Sequence, residues 1–148
     1  YIIREMLDFH PQSKRTDIGM ANEFLTRVSR RRCTAFLLSD FYTRSDFQTQ
    51  LQIASQKHDL AAIQVYDPRA KQLPDVGLLK VCDAETGHET YIDTSSKRLR
   101  QAHAQYWVHR EEALRQLFAK SKVDWVSVAT NEDYVRYLML LFAQRGDS

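Results

Sequence analysis

The chain has 148 residues, of which 43% are hydrophobic and 27% charged, and 21 Lys and Arg against 19 Asp and Glu give a formal net charge of +2. This composition is close to the globular average, which excludes disordered, collagen-like and fibrous classes, and the length fits one domain of about 100–200 residues. The charge balance does not argue for a nucleic-acid partner. The longest apolar run, residues 137–143, is much shorter than the about 20 residues of a membrane-spanning helix.

Apolar stripes at helical spacing predict two helices at the start of the chain. The first ends at Asp8, and a polar connector follows over residues 10–15. Either Thr16 or Asp17 provides the cap of the second helix. The inward face of that helix is predicted to consist of Ile18, Ala21, Leu25 and Val28.

A strand–helix–strand unit comes next. Residues 33–40 form an apolar run without polar alternation, which predicts a strand covered on both faces, as in a parallel sheet. A helix over residues 45–58, with Phe47, Leu51 and Ala54 on one side, leads to a second buried strand over residues 60–66. Two strands joined in this way run parallel, with the helix on one face of the sheet.

The second half of the chain predicts a hairpin, a third parallel strand and two helices. A loop over residues 68–77 precedes two strands, 78–84 and 88–94, that are joined by the turn Glu85-Thr86-Gly87. The caps Thr94-Ser95-Ser96 start a long helix that reaches Lys122. Its two predicted apolar sets are Leu99, Ala102, Tyr106, Ala113, Leu117 and Trp107, Leu114, Phe118.

The last predicted strand covers residues 123–129 and is followed by a helix. Thr130-Asn131-Glu132-Asp133 has the spacing of a capping box, with Thr130 as the cap. The inward face of this helix is predicted to contain Val135, Leu138, Leu141 and Phe142.

This order of elements predicts a single α/β domain over residues 1–148, with a doubly wound parallel sheet and helices on both faces. Three parallel strands are few for such a fold, and the first of them has an unpaired edge if it lies at the border of the sheet. We therefore expect further strands upstream of Tyr1. An exposed strand edge also predicts a homodimer formed by pairing of edges.

Several kinds of site are excluded by the motifs that the sequence lacks. The four glycines are isolated, so neither a dinucleotide-binding nor a P-loop motif is present. Cys33 and Cys82 have no C-x-x-C spacing and are interpreted as reduced core residues without a neighbouring base. The five histidines have no metal-binding spacing. The two lone cysteines are typical of a reducing compartment, so we expect a cytoplasmic protein, with an upstream membrane anchor left open.

Polar residues that follow or precede the predicted parallel strands are the candidate site. Asp40 and Asp67 end two strands, and Thr16 begins the helix before the first strand. Ligands of open α/β sheets bind beyond the carboxyl ends of the strands. A hydroxyl and a carboxylate there, Thr16 and Asp40, are hard oxygen ligands suited to Mg²⁺ or another divalent ion. The alternative is that both residues only cap helices, and that Asp67 and Thr130 are turn and cap residues.

Two other functions remain open at this point. A metal-dependent phosphoryl-transfer or hydrolytic enzyme would use Asp40 as ligand or nucleophile, with Asp67 as the second carboxylate. The arginine run at residues 30–32 could contact nucleic-acid phosphates. Aromatic residues are not interleaved with it as a stacking surface requires, and a solvated helix end is the simpler interpretation.

Several stretches carry a resemblance to known families. Arg15-Thr16-Asp17-Ile18 and the segment Phe36 to Phe41 resemble the middle of a von Willebrand factor A-type domain. Further stretches resemble the bacterial domain of unknown function 58 family, and the match covers nearly all of the chain in order. They are Lys57 to Leu60, Val65 to Arg69, Leu73 to Gly77, Asp83 to Gly87 and Thr130 to Val135.

The resemblance implies a Rossmann-like, three-layer von Willebrand A-type sandwich with an added β-hairpin and with its first strands missing. It also implies a metal-ion-dependent adhesion site, in which Thr16 and Asp40 match the loop threonine and the strand-end aspartate. The Asp-x-Ser-x-Ser motif of that site has no counterpart here, so the metal site of this stretch is expected to be incomplete. The implied function is a non-enzymatic protein-interaction module that works with a MoxR-type AAA+ ATPase in protein assembly or maturation.

Overall fold

The computed structural model describes residues 2–10, 16–43, 45–83 and 86–146. The predicted connector at residues 11–15 and the turn residue Glu85 lie outside the described residues. The helices and strands are, in chain order, α1 (Ile2–Asp8), α2 (Ile18–Val28), β1 (Thr34–Ser39), α3 (Gln48–Lys57), β2 (Asp59–Tyr66), α4 (Pro68–Lys71), β3 (Leu78–Cys82), β4 (Glu89–Asp93), α5 (Lys97–Lys120), β5 (Asp124–Ala129) and α6 (Tyr134–Gly146).

The strands form two sheets. β1, β2 and β5 are parallel in the order β1-β2-β5, and β3 and β4 form an antiparallel pair. Ser39 is in register with Gln64, and Gln64 is in register with Ser127. The positive φ of Gly87, 71°, allows the tight reversal between β3 and β4. The predicted α/β class, with a parallel sheet and a hairpin, is confirmed.

Helices cover both faces of the parallel sheet. On one face, α3 packs on β2 and on α2, and α5 packs on β5, around a core that contains Leu51, Ala54 and Phe118, each of which is 0% exposed. On the other face, α6 packs on β2 and β5 through Leu141. The inward positions predicted for Phe47, Leu51 and Ala54 are confirmed.

The burial of β1 differs from the prediction of a strand covered on both faces. Its residues alternate between exposed and half-buried, and Phe36 and Leu38 are 41% and 66% exposed. Among the described residues β1 pairs only with β2, and α6 packs on the far side of the sheet, over β5. Phe142 of α6 is the side chain whose ring meets Phe36, at 5.8 Å between centroids. An apolar run therefore predicted the strand but not how much of it is covered.

The structure decides between the two predicted caps of α2, since the Asp17 carboxylate accepts the Met20 N–H at 2.8 Å. Two other details of the first half differ from the predictions. Ala21 and Val28 point to solvent instead of inward. The predicted loop after Tyr66 contains the short helix α4, in which Asp67 accepts the Arg69 N–H and Pro68 occupies the first turn.

The last two helices follow the predictions in position but not in every contact. Ser96 caps α5 as expected. Of the predicted apolar sets, Leu114 and Phe118 are buried, Leu117 and Trp107 are half-buried, and the rest are exposed, namely Leu99, Ala102, Tyr106 and Ala113. Asp133, not Thr130, accepts a hydrogen bond from the first turn of α6, from the Val135 N–H. Val135 and Phe142 are 44% and 51% exposed, so that part of the predicted inward face was wrong.

No helix among the described residues is both long enough and apolar enough to cross a membrane.

Candidate functional site at the carboxyl edge of the sheet

Asp40 lies at the carboxyl edge of the sheet, the edge where β1, β2 and β5 end. It directly follows β1, and its side chain is exposed. One carboxylate oxygen, Oδ1, accepts the N–H of Tyr42 at 2.8 Å. The carboxylate is thus held at the surface by its own loop, as is usual for an aspartate that starts a turn.

Thr16 lies against the loop that follows Asp40. The hydroxyl of Thr43 donates a hydrogen bond to the main-chain carbonyl of Thr16 at 3.2 Å. This contact joins two segments that are 27 residues apart in the chain. It brings the start of α2 next to the loop that follows β1.

The loop between β1 and α3 turns sharply at Phe41. Phe41 has a φ of 54°, a left-handed conformation that is unusual for a non-glycine residue and costs about 1–3 kcal/mol. Its ring is 1% exposed and contacts the rings of Phe47 and Phe118 at 6.3 and 5.1 Å between centroids. The turn therefore sends Phe41 into the core and leaves its neighbour Asp40 on the surface.

Hydrogen bonds from three directions stabilise this turn. The Ser39 hydroxyl accepts the N–H of Phe41 at 2.9 Å, and the N–H of Thr43 donates to the Phe41 carbonyl at 3.1 Å. Arg110 of α5 donates to the same carbonyl, and its guanidinium lies 4.6 Å from the ring centroid of Tyr42. These contacts offset the strain at Phe41 and fix the loop that carries Asp40.

A row of three polar side chains crosses the sheet at the end that carries this loop. It consists of Ser39, Gln64 and Ser127, which lie in register on neighbouring strands. Gln64 is 2% exposed; its side-chain oxygen accepts the Ser127 hydroxyl at 2.9 Å, and its amide points to the Asp40 carbonyl at 3.5 Å. A buried amide needs such partners, so this row ties the position of Asp40 to all three strands.

At the other two strand ends of this edge, carboxylates accept hydrogen bonds from nearby main-chain N–H groups. Asp67 accepts the Arg69 N–H at 2.9 Å, which confirms its interpretation as a turn residue. Glu132 reaches back to the N–H of Ala129, the last residue of β5, at 3.3 Å. A hydrogen bond with Glu132 raises the pKa of Tyr137, and burial adds to the rise. Both carboxylates are therefore engaged in local structure.

A pocket of about 300 Å³ opens beside the Asp40 loop, between this loop and α5. Thr43 and Ser45 line it on the loop side, and Arg110 and Lys120 line it on the side of α5. Apolar side chains, among them Phe47, Leu114 and Leu117, make up the larger part of the lining. The two cations, with no acidic side chain among the lining residues, make the pocket electropositive.

The residues at this edge supply only part of a metal site. In the part of the chain that the structure describes, no group of three or more His, Cys, Asp and Glu side chains could hold a metal ion. Thr16 and Asp40 offer one hydroxyl and one carboxylate, whereas Mg²⁺ takes about six oxygen ligands, including waters. By themselves these two side chains do not make a complete site.

Sequence reasoning missed the residues that support the site. Thr43, Gln64 and Arg110 belong to no motif, and each acts through a contact with a distant part of the chain. The sequence does contain a signal for Gln64, because it is a polar residue within the predicted buried strand over residues 60–66. A buried polar side chain must find hydrogen-bond partners, and the neighbouring strands are the nearest source of them.

Sequence reasoning also missed a contact of Cys33. The interpretation that neither cysteine has a neighbouring base was wrong, since the Nδ1 atom of His58 lies 3.4 Å from the Cys33 sulfur. The parallel register pairs Thr34 with Asp59, so the residues just before them are neighbours. Cys82, expected in the core, is exposed, and both thiols are free.

Comparison with known proteins gives uncharacterized relatives. The protein MAV169 of Mycobacterium avium is 40% identical over 77 residues, which are 52% of this chain and 46% of that protein. The proteins Mb1516 of Mycobacterium bovis and Rv1480 of Mycobacterium tuberculosis are each 39% identical over 77 residues, or 52% of this chain and 24% of the relative. The chain thus spans less than half the length of these curated relatives. No solved structure matches the chain.

A family model matches residues 1–113. These residues include Thr16, Asp40 and the loop that leads from Asp40 to α3. This match covers most of the chain and carries the strand–helix–strand unit on which the carboxyl edge is built. The chain belongs to the family described as protein of unknown function DUF58.

Proposed function

We propose that the chain is part of a von Willebrand A-like interaction module, with a Rossmann-like three-layer fold, that docks a protein partner at the carboxyl edge of the sheet. The observation that carries the proposal is the hydrogen bond from Thr43 to Thr16 at 3.2 Å, since it brings the two predicted ligand segments together. The fold described above, a parallel sheet with helices on both faces, is compatible with this class.

The loop that carries Asp40 has the properties of a preorganised binding element. Its turn at Phe41 is held by Arg110 and Ser39, and the polar row of Gln64 supports the Asp40 carbonyl. Because these contacts already hold residues 40–43 in place, a partner that binds there does not have to fix them, and this lowers the entropic cost of association. Such strained and well-supported turns are typical of functional sites.

Thr16 and Asp40 are the side chains of this chain that would hold a divalent cation, either directly or through water. Such an ion supplies an open coordination position that an acidic side chain of a partner can fill. Further oxygen ligands are needed, and we propose that the longer protein provides them, as the Asp-x-Ser-x-Ser motif does in the resembling domains. Mg²⁺ is the first ion to test.

The proposed role is non-enzymatic. The resemblance suggests a MoxR-type AAA+ ATPase as the partner and protein assembly or maturation as the process. The electropositive pocket beside Asp40, lined by Arg110 and Lys120, supports a partner surface that presents acidic side chains, because opposite charges speed association and set its orientation.

Calorimetric titration of Mg²⁺ into the longest protein that carries this chain tests the proposal. We expect Asp40→Ala and Thr16→Ala to weaken Mg²⁺ binding by at least about tenfold, as loss of groups around a metal does. Thr16→Ala removes the hydroxyl together with the γ-methyl group and keeps the main-chain carbonyl that Thr43 contacts. Asp75→Ala is the matched control, because Asp75 is a carboxylate 61% exposed outside this edge.

Equal Mg²⁺ affinity in the wild type, in Asp40→Ala and in Thr16→Ala would show that Thr16 and Asp40 do not belong to the proposed site. Hydrolysis of a generic phosphate ester that is lost in Asp40→Asn would instead support the alternative, a metal-dependent enzyme that uses Asp40.

A further inference from the structure

A thiol and an imidazole meet at the amino end of the parallel sheet, the end opposite to Asp40. Cys33 directly precedes β1 and His58 directly precedes β2. The Cys33 sulfur lies 3.4 Å from Nδ1 of His58, and the N–H of Asp59 donates to the Cys33 carbonyl at 2.9 Å. The backbone pairing of β1 with β2 therefore fixes the distance between the two side chains.

The environments of the two groups are unequal. His58 is 1% exposed, and no hydrogen-bond partner within the described residues reaches its Nε2 atom. Cys33 is half-buried and is therefore the more exposed residue of the pair. A neutral imidazole carries one donor and one acceptor nitrogen. Nε2 has no partner among the described residues, so the hydrogen bond of the ring is the one between Nδ1 and the Cys33 sulfur.

Charged residues flank the pair in the chain. Arg30, Arg31 and Arg32 are exposed and directly precede Cys33. The carboxylate of Asp59, the residue after His58, is engaged in an ion pair with Arg145.

We propose that Cys33 and His58 form a reactive thiol site that takes small electrophiles, with hydrogen peroxide as the oxidant class. His58 accepts the thiol proton at Nδ1, and the sulfur then attacks one peroxide oxygen. An S–O bond forms and the O–O bond breaks, which oxidises the sulfur to a sulfenic acid and reduces the peroxide. The departing hydroxide takes the proton from the imidazolium and leaves as water.

The first test compares the two cysteines of the folded chain. Cys82 is exposed. Its thiol donates a hydrogen bond to the main-chain carbonyl of Asp83 at 3.7 Å, and a carbonyl cannot act as a base. We expect Cys33 to react with iodoacetamide, and to give a dimedone adduct after peroxide, about tenfold faster than Cys82, as a positioned base predicts. Mass spectrometry of the two peptides gives both rates in one sample.

The unfolded chain provides the reference. In denaturant the two thiols should react at similar rates, because the pairing with His58 is lost. A folded chain in which Cys33 reacts no faster than Cys82 would overturn the proposal without the need for any variant.

A variant then assigns the effect to the imidazole. We expect His58→Gln to lower the Cys33 rate to that of Cys82, while His88→Gln, which changes an exposed histidine of the hairpin, leaves it unchanged. Circular dichroism checks that each variant is folded. If folded His58→Gln keeps the fast rate, exposure rather than the imidazole controls Cys33, and the proposal is wrong.

Discussion

The hydroxyl of Ser127 donates a 2.9 Å hydrogen bond to the side-chain oxygen of Gln64, a residue that is 2% exposed. The same side chain turns its amide toward the Asp40 carbonyl, 3.5 Å away. A glutamine buried in this way costs free energy unless both ends of its amide find partners. The two contacts therefore couple the end of β1 to β5 through the middle strand, and they make the position of Asp40 depend on Gln64 and Ser127.

Removal of the Ser127 hydroxyl tests this coupling. Ser127→Ala leaves the Gln64 side-chain oxygen buried without its donor, and we expect a loss of about 1–3 kcal/mol in the free energy of unfolding. Urea denaturation measures the change. Ser45→Ala, at an exposed serine of the Asp40 loop, should stay within about 0.5 kcal/mol of the wild type. A Ser127→Ala protein as stable as the wild type would show that Ser127 and Gln64 are not energetically coupled.

The guanidinium of Arg110 should hold the turn at Phe41 closed. Arg110→Met keeps the apolar stem but removes the donor to the Phe41 carbonyl and the cation above Tyr42, at a cost of about 2 kcal/mol. We expect faster amide hydrogen exchange at Tyr42 and Thr43, whose N–H groups are bonded within this loop. Arg98→Met, at an exposed position of α5, is the control, and unchanged exchange in Arg110→Met would contradict the prediction.

The turn between β4 and α5 should show a dependence on pH. The hydroxyl and the N–H of Ser95 donate to the Asp93 carboxylate at 2.6 and 3.0 Å, and the hydroxyl is the main reason that the pKa of Asp93 is lowered. The lowered pKa means that folding favours the ionised form, so the stabilisation is present above the ordinary pKa of an aspartate and is lost as the pH falls through the lowered value.

Ser95→Ala should therefore raise the pKa of Asp93 toward its ordinary value, as followed by NMR titration of the carboxyl carbon. The stability difference between the wild type and this variant should be largest near neutral pH and should vanish in acid. Thr90→Ala, at an exposed position of β4, should shift neither quantity. An Asp93 titration that Ser95→Ala leaves unchanged would show that the hydroxyl is not the cause.

The unpaired outer edge of β1 leads us to predict that two copies of the chain associate. In the described part of the chain this strand pairs on one side only, and Leu38 on it is 66% exposed. Unpaired edges with apolar side chains tend to pair with a second chain, and a lysine there opposes pairing. We expect the chain to dimerise with rising concentration and Leu38→Lys to weaken the dimer, as measured by light scattering. Leu78→Lys, at a position 70% exposed on β3, serves as control; a wild type that is monomeric at all concentrations would contradict this.

The order of helices and strands was predictable because it depends on short-range patterns. Apolar runs and helical spacing predicted β1, β2, β5 and the long α5, and a short turn with glycine predicted the hairpin. Local capping chemistry predicted Asp17 as one of two choices and Ser96 within a set of three. The same local reasoning was wrong for Thr130, since the start of α6 depends on how the chain leaves β5, where Glu132 reaches back to Ala129.

What surrounds each element was decided by the tertiary structure alone. Phe36 and Leu38 read as core residues, yet their exposure depends on which helices cover β1. The contacts of Thr43 with Thr16, and of Cys33 with His58, join positions 27 and 25 residues apart. By itself the sequence determined an α/β chain with a hydroxyl and a carboxylate near one end of a parallel sheet. The strained turn, the buried Gln64 and the thiol–imidazole pair exist only because strand register and helix packing bring distant side chains within hydrogen-bonding distance.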